Sequence, residues 1–213
     1  MRYGLVIFDL DGTIVDSRHA LIETCHDVRR AMGLPPLDDG ILVRSIGRNI
    51  VESIRENYGA DEEFATEFAR RFFECYPRHS YDVGLFDGIT DVIRTVGEDA
   101  VVAIATNNDL DGTMGLLRML GIRDLFDHVR GIVDSDGPTK THMIRDLMET
   151  TGMDPDGTVM IGDSVYDFRS ASEAGVGFIG AAYGYTPEAI AQLPSIGDAY
   201  SPEDILRLLG IHD

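Results

Sequence analysis

The chain has 213 residues, enough for one domain or a core with a smaller insert, and 44% of them are apolar, which supports a buried core. Its formal net charge of −19 argues against nucleic acid, whose backbone asks for a basic footprint, and equally against anionic membrane surfaces. No apolar run approaches the roughly 18 to 20 residues of a membrane span, and two cysteines, Cys25 and Cys75, make no disulfide framework and fit a reducing cytoplasm. The acidity is spread along the chain, and Lys140 is the only lysine among 18 basic residues. Such a surface fits a protein that works in concentrated salt, where self-repulsion is screened.

The first element expected is a buried strand over 3–9, an apolar run ending in an acid and lacking a signal-peptide cleavage site. After it, helical patterns run over 17–32, 38–57 and 61–75, with a break at Gly33-Leu34-Pro35-Pro36 and no convincing strand. The chain is expected to return to the core near Val83–Gly88. Beyond that point, strands at 100–106 and 157–162, and weaker ones at 128–133 and 176–180, alternate with helices at 88–97, 110–120, 140–152 and 165–174. This alternation predicts an α/β fold, a parallel sheet covered on both faces, with ligands beyond the carboxyl ends of the strands. A final helix runs through Leu209.

Four places at strand ends carry chemistry. In Asp9-Leu10-Asp11-Gly12-Thr13, residues two apart on a strand aim at one spot, and Gly12 lets the backbone turn away. Thr106-Asn107-Asn108 offers a hydroxyl and amides, and Lys140 lies near a helix start, where a cation and free N–H groups meet an anion. Gly162-Asp163-Ser164-Val165-Tyr166-Asp167 places two acids four apart. Two carboxylates about 4 Å apart repel by on the order of 4 kcal/mol at an effective dielectric near 20. A hard divalent cation held by oxygens resolves that repulsion, and Mg²⁺ is the usual choice beside phosphates. Nucleophile, metal and fixed positive charge are what phosphoryl transfer requires.

These four segments, in this order, resemble the motifs of the haloacid dehalogenase superfamily, and the helical insert after Asp16 resembles the small cap of its phosphoglycolate phosphatase and phosphomutase branch. The resemblance implies a doubly wound, Rossmann-like core of residues 1–16 and 85–213 with an inserted helical-bundle cap over 17–84. It implies Asp9 as nucleophile and Asp11 as acid/base. Mg²⁺ would be held by Asp9, the backbone carbonyl of Asp11, Asp163 and Asp167, and the transferred phosphoryl group by Thr106, Asn107 and Lys140. The run Gly137-Pro138-Thr139-Lys140 departs from the branch in lacking prolines after the lysine.

The implied activity is hydrolysis of small anionic phosphomonoesters. Asp11 speaks against a dehalogenase, and a lysine-free cap against phosphonate cleavage through a Schiff base. A hexose phosphomutase would place a cap histidine at Leu21, whereas His19 is offset by about 200° on a helix. If Arg48 of the polar stretch Arg44-Ser45-Ile46-Gly47-Arg48-Asn49 clamps the substrate, phosphoglycolate is the natural guess; otherwise Arg44 and Arg48 form a solvated face. His142 reads as a surface histidine of a helix's first turn. A nucleotidase or pyrophosphatase of the same branch, and a binding module without chemistry, are the rivals.

Overall fold

A computed structural model describes residues 2–133 and 138–211; Gly137 of the run before Lys140 lies outside them. Strand β1 (Leu5–Phe8) enters the core and is followed by the short β2 (Val15–Asp16). Helices α1 (Arg18–Ala31), α2 (Asp39–Ser45), α3 (Ile50–Tyr58) and α4 (Glu62–Cys75) follow. The chain returns through β3 (Gly84–Leu85), antiparallel to β2. It then alternates: α5 (Ile89–Gly97), β4 (Val101–Asp109), α6 (Leu110–Met119), β5 (His128–Ile132), α7 (Lys140–Thr151), β6 (Thr158–Gly162), α8 (Val165–Ala174), β7 (Gly177–Ala181), α9 (Pro187–Ile190), β8 (Gly197–Ala199) and α10 (Asp204–Leu208). Six parallel strands lie in the order β5-β4-β1-β6-β7-β8. The α/β, doubly wound, Rossmann-like core expected from the alternation is thus present.

Alternate strand residues point to opposite faces, and here both faces are covered. Val6, Phe8, Val102, Ile104, Val159 and Ile161 pack with Val92, Ile93, Leu117 and Ile205 of α5, α6 and α10. Leu5, Ile7, Ala103, Ala105 and Met160 pack with Met143, Ile144, Leu147 and Ala171 of α7 and α8. That is why these strands read as continuous apolar runs. Helices α1–α4 have a separate core of Cys25, Val28, Leu42, Ile54, Phe68 and Phe72.

Two expectations need correction. The helical pattern over 38–57 is two helices, because Gly47 adopts φ 83° and the side chain of Asn49 accepts from the N–H groups of Val51 (2.9 Å) and Glu52 (3.3 Å), starting α3 afresh. The β2–β3 ribbon and β8 are strands of two or three residues, too short to leave a period in the sequence.

Candidate active site

The carboxyl ends of β1, β4 and β6 and the start of α7 converge. The backbone N–H of Asp9 still belongs to the sheet, donating to the Ile161 carbonyl at 2.9 Å. Gly12 then turns the chain at φ 82°, and a Cβ there would collide with the Asp163 carboxylate. Thr139 caps α7 by accepting from the His142 N–H at 3.3 Å, so Lys140 starts the helix and points inward. Ser164 and Asp167 form a reciprocal capping box at α8: the Asp167 carboxylate accepts from the Ser164 hydroxyl at 2.6 Å and from its N–H at 3.1 Å.

Lys140 ties the acids together. Its ammonium donates to Asp9 Oδ1 at 2.7 Å and to Asp167 Oδ1 at 2.6 Å, with all three residues buried. Asp9 Oδ2 is buried with no hydrogen-bond partner. Carboxylate oxygens of Asp9, Asp163 and Asp167 lie within 4.8 Å of one another. An all-oxygen, acid-rich set with an orphaned oxygen fits a hard divalent cation such as Mg²⁺. Burial, and then the neighbouring Asp167, raise the Asp9 carboxyl from 3.8 to about 7 although Lys140 pulls it down. Burial, with Asp167 and Asp9 adding to it, pushes Asp163 well above the ordinary carboxylate range. Burial works against the charge of Lys140, but Asp167 and Asp9 hold its pKa above normal.

Asp11 has different company. Its Oδ1 accepts from the Ser17 hydroxyl and its Oδ2 from the Asn108 amide at 2.6 Å. Burial raises its carboxyl above 3.8, and these two donors limit the rise. Ser17 is anchored in turn, its N–H donating to the Tyr185 hydroxyl at 2.7 Å. The Tyr185 N–H donates to Asp163 Oδ2 at 2.8 Å, and the Thr186 hydroxyl to the Asp163 carbonyl at 2.6 Å. The β7–α9 turn therefore braces both Asp11 and Asp163.

Asp9, Asp11, Thr106, Lys140, Asp163 and Asp167 are all buried at this one edge of the sheet. Asn107 is adjacent, with its amide donating to the Gly47 carbonyl between α2 and α3 at 2.7 Å. The guanidinium of Arg48 turns to Glu56, which it meets through both terminal nitrogens, and its Nε lies 3.5 Å from Glu52. Arg44 is exposed, as is His19, and the His142 ring meets Thr139 at 2.8 Å on the surface of α7. Ser17, Tyr185 and Thr186 were not singled out from the sequence. Ser17 follows an acid at a helix start, a weak cue, and Tyr185 sits in a turn with no chemical signature.

Comparison with known proteins matches residues 6–181 to the family described as haloacid dehalogenase-like hydrolase. A 5′-nucleotidase of Pseudomonas aeruginosa is 31% identical, over 88% of this chain and 86% of that protein. A phosphoglycolate phosphatase of Rhodospirillum rubrum is 28% identical, over 90% and 84%. A haloacid dehalogenase-like family hydrolase from Streptococcus pneumoniae superposes with a TM-score of 0.88 at 21% identity, covering 98% of this chain and 99% of that one.

Proposed function

The chain belongs to the haloacid dehalogenase-like hydrolase family, and from that premise we propose that it is a Mg²⁺-dependent phosphomonoester hydrolase working through an aspartyl-phosphate on Asp9. The observation that carries this reading is the state of the Asp9 carboxylate. One oxygen is fixed by Lys140 and the other is buried without a partner, as a group waiting for a cation or a reacting atom would be.

The Asp9 carboxylate attacks phosphorus, and the bond from phosphorus to the leaving oxygen breaks. Asp11 gives its proton to that oxygen. Its burial, which raises the carboxyl pKa, suits a residue that must hold a proton before it delivers one. Asp11, now ionised, takes a proton from water, whose oxygen attacks phosphorus, frees Asp9 and releases inorganic phosphate. Ser17 and Asn108 hold Asp11 in one orientation through both steps. Lys140, Thr106 and Asn107 bind the phosphoryl oxygens, and the Lys140 ammonium keeps Asp9 ionised enough to attack. Asp9, Asp163, Asp167 and the Asp11 carbonyl would hold Mg²⁺, which would supply positive charge for the phosphoryl oxygens. Helices of the 17–84 segment cap the site and exclude water. Among the described residues no helix is long and apolar enough to cross a membrane, and the two buried free thiols agree with a cytoplasmic setting.

The relatives named above carry different substrate names, so likeness alone leaves the alcohol open. Release of phosphate from p-nitrophenyl phosphate with Mg²⁺ tests the reading, and Asp9→Asn is expected to abolish it. Full activity of that variant would rule out the aspartyl-phosphate. No turnover by folded protein, in low or molar salt, would favour a binding module instead.

A further inference from the structure

A second group of metal-ligating side chains lies in the helical insert between β2 and β3. Asp27 of α1, Cys75 at the end of α4 and His79 of the turn beyond it offer a carboxylate, a thiol and an imidazole, with the ligating atoms within 4.8 Å of one another. His79 Nε2 lies 3.0 Å from Asp27 Oδ2, while Arg30 takes the other oxygen, Oδ1. Arg30, and then His79, hold the Asp27 carboxyl below its ordinary range, so it is ionised at neutral pH. The neighbouring His26 turns instead to Asp39 at 2.9 Å. Cys75 is a buried free thiol, and Asp27 and His79 are partly exposed, so solvent reaches the group.

The donor set selects the ion. Sulfur and imidazole nitrogen suit a borderline cation such as Zn²⁺, whereas the all-oxygen set of Asp9, Asp163 and Asp167 suits Mg²⁺. Zinc bonds of about 2.0–2.3 Å set tetrahedral ligands roughly 3.3–3.7 Å apart. The pair at 3.0 Å and the thiol beside it therefore need only small side-chain shifts to close on one ion. A thiolate and a carboxylate balance the charge of a divalent cation, and a water from the solvent side completes four-coordination. On binding, the thiol gives its proton to solvent, and His79 carries its remaining proton on Nδ1. The ligands come from the helix on which the chain enters the insert and from the turn by which it leaves toward β3, so the ion would tie the insert's first helix to its last.

We propose that Asp27, Cys75 and His79 form a Zn²⁺ site that clamps α1 to the end of α4. The test is Co²⁺, a spectroscopic stand-in for Zn²⁺, titrated into the full chain with Mg²⁺ in excess. A near-ultraviolet sulfur-to-cobalt charge-transfer band should grow and saturate, and Zn²⁺ should remove it. Asp9, Asp163 and Asp167 offer no sulfur, so metal bound there cannot produce the band. Cys75→Ser should abolish the band, and Cys25→Ser, which removes the other thiol, should keep it. Asp27→Asn and His79→Gln, at partly exposed positions, should each weaken Co²⁺ binding at least about tenfold, the loss that removing even a supporting contact brings. They carry the test should Cys75→Ser fail to fold, which circular dichroism reads. Zn²⁺ at about a hundred times its Kd should raise Tm roughly 5–11 °C further in the wild type than in Cys75→Ser. Four results would each overturn the proposal: no band in folded wild type, a band that survives Cys75→Ser, a band lost in folded Cys25→Ser, or binding indifferent to His79→Gln or Asp27→Asn. None of these readouts uses turnover, so a failed phosphatase assay has no bearing on the site.

Discussion

Removing divalent metal while raising the pH should weaken the protein by an amount that Asp9 sets. In the metal-free site, burial and Asp167 raise the Asp9 carboxyl from 3.8 to about 7. A carboxyl with a raised folded pKa holds its proton more tightly in the native state than in the unfolded chain. Its stabilisation is therefore complete below the unfolded value of 3.8 and is lost as the pH climbs toward 7. Over two pH units inside that window, one proton is worth about 2.7 kcal/mol. In a protein of this size each kcal/mol moves Tm by roughly 2–4 °C, so the loss from pH 5 to pH 7 is roughly 5–11 °C. The raised Asp163 and Asp11 add in the same direction. Mg²⁺ stabilises the ionised site, so the Tm difference between Mg²⁺ and EDTA should widen by about that amount between the two pH values. Surface titration occurs in both arms at fixed ionic strength and cancels. Scanning calorimetry on the wild type and on Asp9→Asn, which should lose the share of the widening that Asp9 contributes, makes the measurement. A Mg²⁺ effect of equal size at both pH values would refute the assignment of the strained proton to Asp9.

Gly162→Ala is a steric test of the same centre. Its Cβ would fall 2.5 Å from Cβ and Cγ of Asp167, so Asp167 must shift. Isothermal titration should show Mg²⁺ affinity reduced at least about tenfold, in line with disturbed supporting contacts at metal sites. Tyr185→Phe removes the hydroxyl that accepts from the Ser17 N–H at 2.7 Å. Leaving that buried N–H unpaired costs roughly 1–3 kcal/mol, and loosening Ser17 should lower kcat more than it raises KM. The net charge of −19 leads us to expect Tm to rise between dilute buffer and molar potassium chloride, as self-repulsion is screened. A flat profile would remove the case for a salt-adapted protein.

Much of this arrangement is legible in the amino-acid sequence, for a physical reason. β1, β4 and β6 are buried on both faces, so their residues form unbroken apolar runs, and the acids that end them stand out. Asp9, Asp11, Asp163 and Asp167 were legible because charge at the end of a buried strand is costly and rare. Asn108 was visible only as one of three polar residues after β4. It reaches Asp11 while the Asn107 amide turns to the Gly47 carbonyl, at the end of a strand whose pairing with β5 is irregular between Ala105 and Asp109. The pairing of Arg48 with Glu56 was also hidden. The two lie eight residues apart, off any helical neighbour spacing within one helix, and meet because Gly47 and Asn49 break the chain between α2 and α3.

The position of Lys140 lowers the cost of gathering the acids at one place. A single ammonium between Asp9 and Asp167 neutralises one charge of the three acids around it. Burial and the neighbouring acids raise the carboxyls of both Asp9 and Asp163, which favours proton uptake on the pair. A divalent cation bound by these acids would take the place of the protons that their raised pKa values favour. Mg²⁺ uptake at neutral pH should therefore release protons. The asymmetry within Asp9 follows from the same arrangement. Lys140 takes Oδ1, so Oδ2 is the atom whose partner must come from outside the protein.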